Sequence, residues 1–121
     1  MKIVVTTIAP NIAADVDPRF GRSACLLVVD AETMRWSAHP NPGAGASGGA
    51  GTVAAQFVAE QGAEAAISGD FGPNAYRALQ AAGVSMYVLG QSRTAHEAIE
   101  RFKSGQLARF AGPAMRQPQR T

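Results

Sequence analysis

Two arginines bracket an aromatic residue in the segment Asp17-Pro18-Arg19-Phe20-Gly21-Arg22. A guanidinium has rigid donors, a permanent charge and weak hydration, so this pattern suits capture of an anion. The competing reading is structural: the arginines pair with Asp15 and Asp17, and Phe20 plugs the core. A second segment, Pro40 to Gly51, holds five glycines and two prolines in twelve residues and leads straight into a helix pattern. Free amides at a helix start, aided by the helix dipole, form an anion site. The segment lacks the lysine and Ser/Thr of a P-loop, and a solvent loop of low side-chain content is its plain alternative. A third, Ser68-Gly69-Asp70-Phe71-Gly72-Pro73-Asn74-Ala75, reads as a strand-to-helix turn, and ligands of open α/β sheets bind where strands end. Gly72 and Pro73 also suit a helix start on geometry alone.

The remaining reactive side chains are isolated. Cys25 falls in an apolar run and reads as a small buried hydrophobe. His39 and His96 read as a strand-end and a first-turn surface residue. A single cysteine excludes an intramolecular disulfide, a cysteine-based zinc site and a four-thiolate iron–sulfur site within one chain. No Ser/His/Asp set, HExxH or tight carboxylate pair is present, so hydrolysis has little support and a non-enzymatic role is expected.

The elements that must hold these loops follow from the apolar patterning. Ile3 to Val5 and Ala24 to Asp30 are continuous apolar runs, as in strands covered on both faces. Arg35 to His39 follows a short connection and suits an edge strand. A helical stripe runs through Val53, Ala54, Phe57 and Val58 within Thr52 to Gln61. Glu64 to Ser68 and Val84 to Leu89 are further strands, separated by a helix that Pro73 opens and Gly83 closes. Thr94 to Glu97 is a capping box for a last helix carrying Ala95, Ala98, Ile99 and Phe102. Glu97 and Arg101 are spaced to pair on its exposed side. The order β-β-β-α-β-α-β-α predicts an α/β fold: a mixed five-stranded sheet flanked by helices, with right-handed crossovers after the long loop. Gly43 to Gly49 should be mobile, because it has almost no side chains to pack.

Length and charge narrow the function. One hundred and twenty-one residues, 46% hydrophobic and 17% charged, suit one globular domain over residues 1–112 with a flexible tail over 113–121. Net charge is only +2, with no basic run, which argues against nucleic-acid binding. The longest apolar run cannot span a membrane. Met1 to Val5 reads as a first strand rather than a signal peptide, and a cytoplasmic location follows as the expectation.

Taken in order, VDPRFGR, a buried strand and acidic hairpin, GGAG before a helix, GDFGPNAYRAL and AAGVSMYVL resemble the dinitrogenase iron–molybdenum cofactor biosynthesis family over roughly residues 1 to 110. That family includes nitrogenase-cofactor carriers and the small orange proteins, which hold a molybdenum–copper sulfide cluster. The resemblance implies a three-layer ribonuclease-H-like fold without nuclease activity. It also implies non-covalent binding of an anionic metal–sulfur cluster between the glycine loop and the RFGR loop. Arg19, Phe20, Gly21, Arg22, Gly48, Gly49, Gly51, Gly72 and Asn74 are the implied binding residues, with no protein side chain ligating a metal. Some cofactor carriers have histidine where this chain has Arg19, and arginine cannot ligate, so a molybdenum–copper sulfide cluster is expected ahead of the iron–molybdenum cofactor or its precursor. An associated P-loop ATPase is a candidate partner by family analogy; oligomeric state is left open. Two readings from other classes stand beside this one. A nucleotide- or phosphate-binding regulatory module could use the same loops, and a nuclease would need clustered carboxylates holding two metal ions.

Overall fold

Five strands and three helices alternate as expected: β1 (Lys2–Thr7), β2 (Cys25–Asp30), β3 (Trp36–Pro40), α1 (Ala50–Glu60), β4 (Ala65–Ser68), α2 (Pro73–Ala81), β5 (Ser85–Val88) and α3 (Ala95–Lys103). The computed structural model describes residues 1–112, so the tail expected over 113–121 lies outside the described residues. The sheet order is β3-β2-β1-β4-β5. β1 runs antiparallel to β2 and parallel to β4, β3 is antiparallel to β2, and β5 is parallel to β4. The sheet is therefore mixed, with the reversed strand between β1 and the β3 edge.

Side-chain alternation along the central strands separates two apolar layers. Val4, Leu26, Val28 and Ala66 pack with Ala54, Ala55 and Val58 of α1 and Ala75 and Leu79 of α2. Ile3, Val5, Leu27, Val29 and Ile67 pack on the other face with Ala95, Ala98 and Ile99 of α3. The unbroken apolar runs Ile3–Val5 of β1 and Leu26–Val29 of β2 thus serve a sheet covered on both sides. Only the edges depart from that pattern: Trp36 on β3 is 40% exposed. The β5 edge is partly covered by its own chain, since Val88 donates to Ala108 and Phe110 donates to Met86.

Element boundaries shifted where local signals were weakest. α1 starts at Ala50, two residues before the expected Thr52, because Gly49 takes the left-handed conformation (φ 68°) and launches the helix. β3 extends to Pro40, which an edge strand tolerates because its missing N–H need not join the ladder. The capping box on α3 is present, with Thr94 accepting from the Glu97 amide. Glu97 accepts from the Arg93 and Thr94 amides, and these bonds hold its carboxyl below the usual glutamate range. Its expected partner Arg101 instead donates to Ser92 Oγ at 3.2 Å. No helix among the described residues is long and apolar enough to cross a membrane.

Candidate functional site

The topology forces the suspected loops together. β1, β4 and β5 are parallel, so their carboxyl ends lie at one side of the sheet, and the antiparallel β2 begins and β3 ends there too. The RFGR loop, the glycine-rich loop and the GDFGPN turn all leave from that side, the usual ligand-binding end of an open α/β sheet.

Close backbone contacts fix their mutual positions. Thr6 Oγ1 donates to the Asp17 carbonyl at 2.7 Å, and Ser68 Oγ lies 2.9 Å from Thr6 Oγ1, joining the RFGR loop to the ends of β1 and β4. Phe20 N–H donates to the Asp70 carbonyl, and Arg19 bridges to Asp70 in parallel register. A Cβ at Gly69 would lie 2.6 Å from Pro18 Cα. A Cβ at Gly21 would lie 2.9 Å from the Gly51 nitrogen, and one at Gly51 would lie 3.0 Å from Ala75 Cβ. The RFGR loop, the start of α1 and the start of α2 thus touch in series.

Two of the expected binding residues are placed away from the open side of these loops. Phe20, one of the implied binding residues, is 2% exposed and packs on Phe71 with ring centroids 5.1 Å apart. The ring lies in the core beneath the loop, the place the structural reading gave it. Gly51, expected in the loop, lies inside α1, where its missing side chain permits the approach of α2.

Arg19 keeps the expected exposure. Its backbone N–H donates to Asp17 Oδ1 at 3.0 Å, its Nε lies 3.4 Å from the same oxygen, and its side chain is 67% exposed. The nearly buried Asp17 carboxylate orients the guanidinium from behind, and neither Nη group has a hydrogen-bond partner among the described residues. Arg22 is engaged instead with the glycine-rich loop, its Nη1 donating to the carbonyls of Ala44 at 3.1 Å and Ala46 at 2.8 Å and, more distantly, Gly43 at 3.5 Å. Asn41, which the sequence reading passed over, is buried between the two loops. Its Nδ2 donates to Phe20 O, Gly21 O and Ser23 Oγ, and its Oδ1 accepts from Gly43 N–H. These bonds and those of Arg22 tie residues 41–46 within the segment expected to be mobile. Ser47 and Gly48 take part in none among the described residues.

The two helix starts meeting here carry no side-chain cap and no acidic residue in their first turns. Substituents at Gly48, Gly49 and Gly72 would meet nothing within 4 Å. Unspent amides, open space and exposed positive charge together are the chemistry of anion binding. Asn74 Oδ1 accepts from Arg77 Nη2, which brings a third guanidinium to the start of α2. The spacing Asn74-x-x-Arg77 is visible in the sequence as an i,i+3 pair, whereas Asn41-Pro42-Gly43 marks only a local turn and not the contacts of Asn41 with Phe20, Gly21 and Ser23.

Among the described residues no group of three or more His, Cys, Asp or Glu could hold a metal ion. His39 of β3 packs near Phe57 of α1, with ring centroids 5.3 Å apart, and its Nε2 lies 2.8 Å from Ser37 Oγ. Cys25 packs with the α3-side layer, across the sheet from the starts of α1 and α2. Cys25→Ser should therefore cost some thermal stability, by placing a hydroxyl beside an apolar layer, and leave ligand stoichiometry at this site unchanged. Loss of all bound metal from folded Cys25→Ser protein, measured by elemental analysis, would show that a thiolate is needed.

Comparison with known proteins follows the same outline. The sequence model described as dinitrogenase iron-molybdenum cofactor matches residues 1–105. The apo form of the orange protein from Desulfovibrio gigas is 42% identical, superposes with a TM-score of 0.86, and is matched over 92% of this chain and 93% of its own. A candidate NifB protein from Thermotoga, solved by NMR, is 29% identical with a TM-score of 0.77, over 89% of this chain and 91% of its own. A candidate dinitrogenase from Methanocaldococcus jannaschii, at 13% identity and a TM-score of 0.70 over 93% of this chain and 97% of its own, shares the fold. No curated protein matches the sequence.

Proposed function

Because the chain belongs to the dinitrogenase iron-molybdenum cofactor family, we propose that it binds an anionic molybdenum-containing metal–sulfur cluster without covalent attachment, and carries or assembles that cluster rather than catalysing a reaction. The observation that carries this reading is the meeting of two helix starts without side-chain caps beside the exposed Arg19, with open space at Gly48, Gly49 and Gly72. These residues fit a cargo whose metals are already ligated by sulfide, since they offer donors for charge and no thiolate or imidazole for metal. A sulfide cluster is large and weakly hydrated, so diffuse guanidinium charge matches it better than ammonium.

A molybdenum–copper sulfide cluster is the favoured cargo, supported by the 42% identity to an orange protein and by arginine, not histidine, at position 19. The iron–molybdenum cofactor or its precursor is the second candidate. Gly48, Gly49 and Gly72 would supply close backbone approach, Asn74 its amide group, and Arg19 the exposed charge. We assign the fold to the ribonuclease-H-like group, for which the order β3-β2-β1-β4-β5 with β2 reversed is the support. A single domain over 1–112, a cytoplasmic location and a P-loop ATPase partner complete the reading.

The test is the metal content and visible spectrum of protein purified from its own source, and of apo protein loaded with tetrathiomolybdate and copper and then desalted. Retained colour with stoichiometric molybdenum is expected. Colourless protein that binds inorganic phosphate or a nucleotide would replace this reading with the phosphate-module alternative.

A further inference from the structure

We propose that Arg22 is a positioning residue, acting on the cargo through the glycine-rich loop rather than through its own charge; this rests on the cluster-binding reading above. Its Nη1 gathers the carbonyls of Ala44 and Ala46, with Gly43 further off. All peptide bonds among the described residues are trans. In a trans peptide the carbonyl of one residue and the N–H of the next point in opposite directions. Turning the Ala44 and Ala46 carbonyls toward Arg22 therefore turns the Gly45 and Ser47 N–H groups away from it. Gly45 and Ser47 are exposed, and neither amide donates to another group among the described residues. The loop is thus held with its negative edge against the guanidinium and its donor edge outward.

The base of the loop is fixed independently. Gly43 N–H is held by Asn41 Oδ1, Ala44 N–H by the Asn41 carbonyl and Ala46 N–H by the Gly43 carbonyl. A Cβ at Gly43 would lie 2.4 Å from the Ala50 carbonyl oxygen, so the loop is pressed against the start of α1. Asn41 sets where the loop begins, and Arg22 sets which way its peptides face. Arg19 differs in kind, because its side chain is two-thirds exposed, its Nη groups are unbonded among the described residues, and it can meet a ligand directly.

The two roles separate experimentally. Apo protein and its Arg19→Ala, Arg22→Ala and Arg22→Lys variants are loaded with tetrathiomolybdate and copper, and cluster retention is titrated against salt. Amide hydrogen exchange of residues 43–47 is followed by NMR in the apo forms. Removing a direct charge contact lowers affinity and flattens its salt dependence, because the lost interaction was the screened one. Arg19→Ala should do this and leave loop exchange unchanged. Arg22→Ala should lower affinity about tenfold through the ordering entropy of several loop residues, keep the parental salt slope, and raise exchange at Ala44 and Ala46. Arg22→Lys should restore part of both, since an ammonium can donate to the same carbonyls. A salt slope flattened by Arg22→Ala as by Arg19→Ala, or unchanged loop exchange in Arg22→Ala, overturns the proposal. If the parent itself fails to retain colour, the cluster-binding reading fails, while the exchange data still decide whether Arg22 holds the loop.

Discussion

The Arg19→Ala, Arg22→Ala double variant should stay folded and lose its cluster on desalting, while Arg109→Ala retains parental colour and metal content. Arg19 is two-thirds exposed and Arg22 bonds only loop carbonyls, so neither supports the core. Hydrogen bonds to charged groups are worth about 1.5–3 kcal/mol each, and loop ordering adds a comparable amount. Losing both contributions should weaken retention by at least about a hundredfold. Arg109 sits over the Tyr87 ring, 5.6 Å from its centroid, on the β5 edge, and serves as a control for loss of one positive charge. Visible absorbance and molybdenum content after desalting read the result. Parental colour in the double variant at raised salt would place the site elsewhere.

Gly43→Ala should be the most damaging single-methyl change in the glycine-rich loop, whereas Gly48→Ala should be nearly silent for stability. At Gly43 the new Cβ would lie 2.4 Å from the Ala50 carbonyl oxygen and 2.8 Å from that of Gly21. Both atoms are backbone, one at a helix start and one in a loop pinned by Asn41, so neither can swing aside as a side chain would. Overpacking of this kind costs about 1–3 kcal/mol, which corresponds to a fall in Tm of roughly 4 °C per kcal/mol for a domain of this size. At Gly48 the added methyl meets nothing within 4 Å. Thermal unfolding of the two variants gives the comparison directly. Equal Tm values would mean that the loop shifts freely and that the close approach to α1 does not define it. Ligand retention offers the complementary readout: a methyl at Gly48 projects into the open side and should impair binding more than it impairs folding.

Much of this architecture was legible because the signals were local. Uninterrupted apolar runs at Ile3–Val5 and Leu26–Val29 announce strands buried on both faces, and Pro73 and the Thr94–Glu97 capping box mark helix starts in the chain itself. The edges are less legible: Pro40 has the composition of a loop, and an isolated sequence cannot show which strand lies at a sheet edge. Family membership was also legible, since it rests on ordered motifs.

The division of labour within the site was decided by tertiary structure. Sequence marks Phe20 as an aromatic between two arginines, but only packing against Phe71 shows that it faces inward. The two arginines look equivalent in PRFGR, yet Asp17 leaves one facing solvent while the carbonyls of Ala44 and Ala46 engage the other. Gly21 and Gly51 are thirty positions apart, and their contact exists only because β2 is reversed and α1 crosses back over the sheet. Asn41 marks a local turn through its bond from Gly43 N–H, but its other three partners, on Phe20, Gly21 and Ser23, lie on a segment that meets it only in the folded chain. Local chemistry is written residue by residue and so determined the elements, the family and the candidate anion-binding segments. Which donors face the ligand depends on where distant backbone carbonyls and carboxylates come to rest, and that is set by the fold.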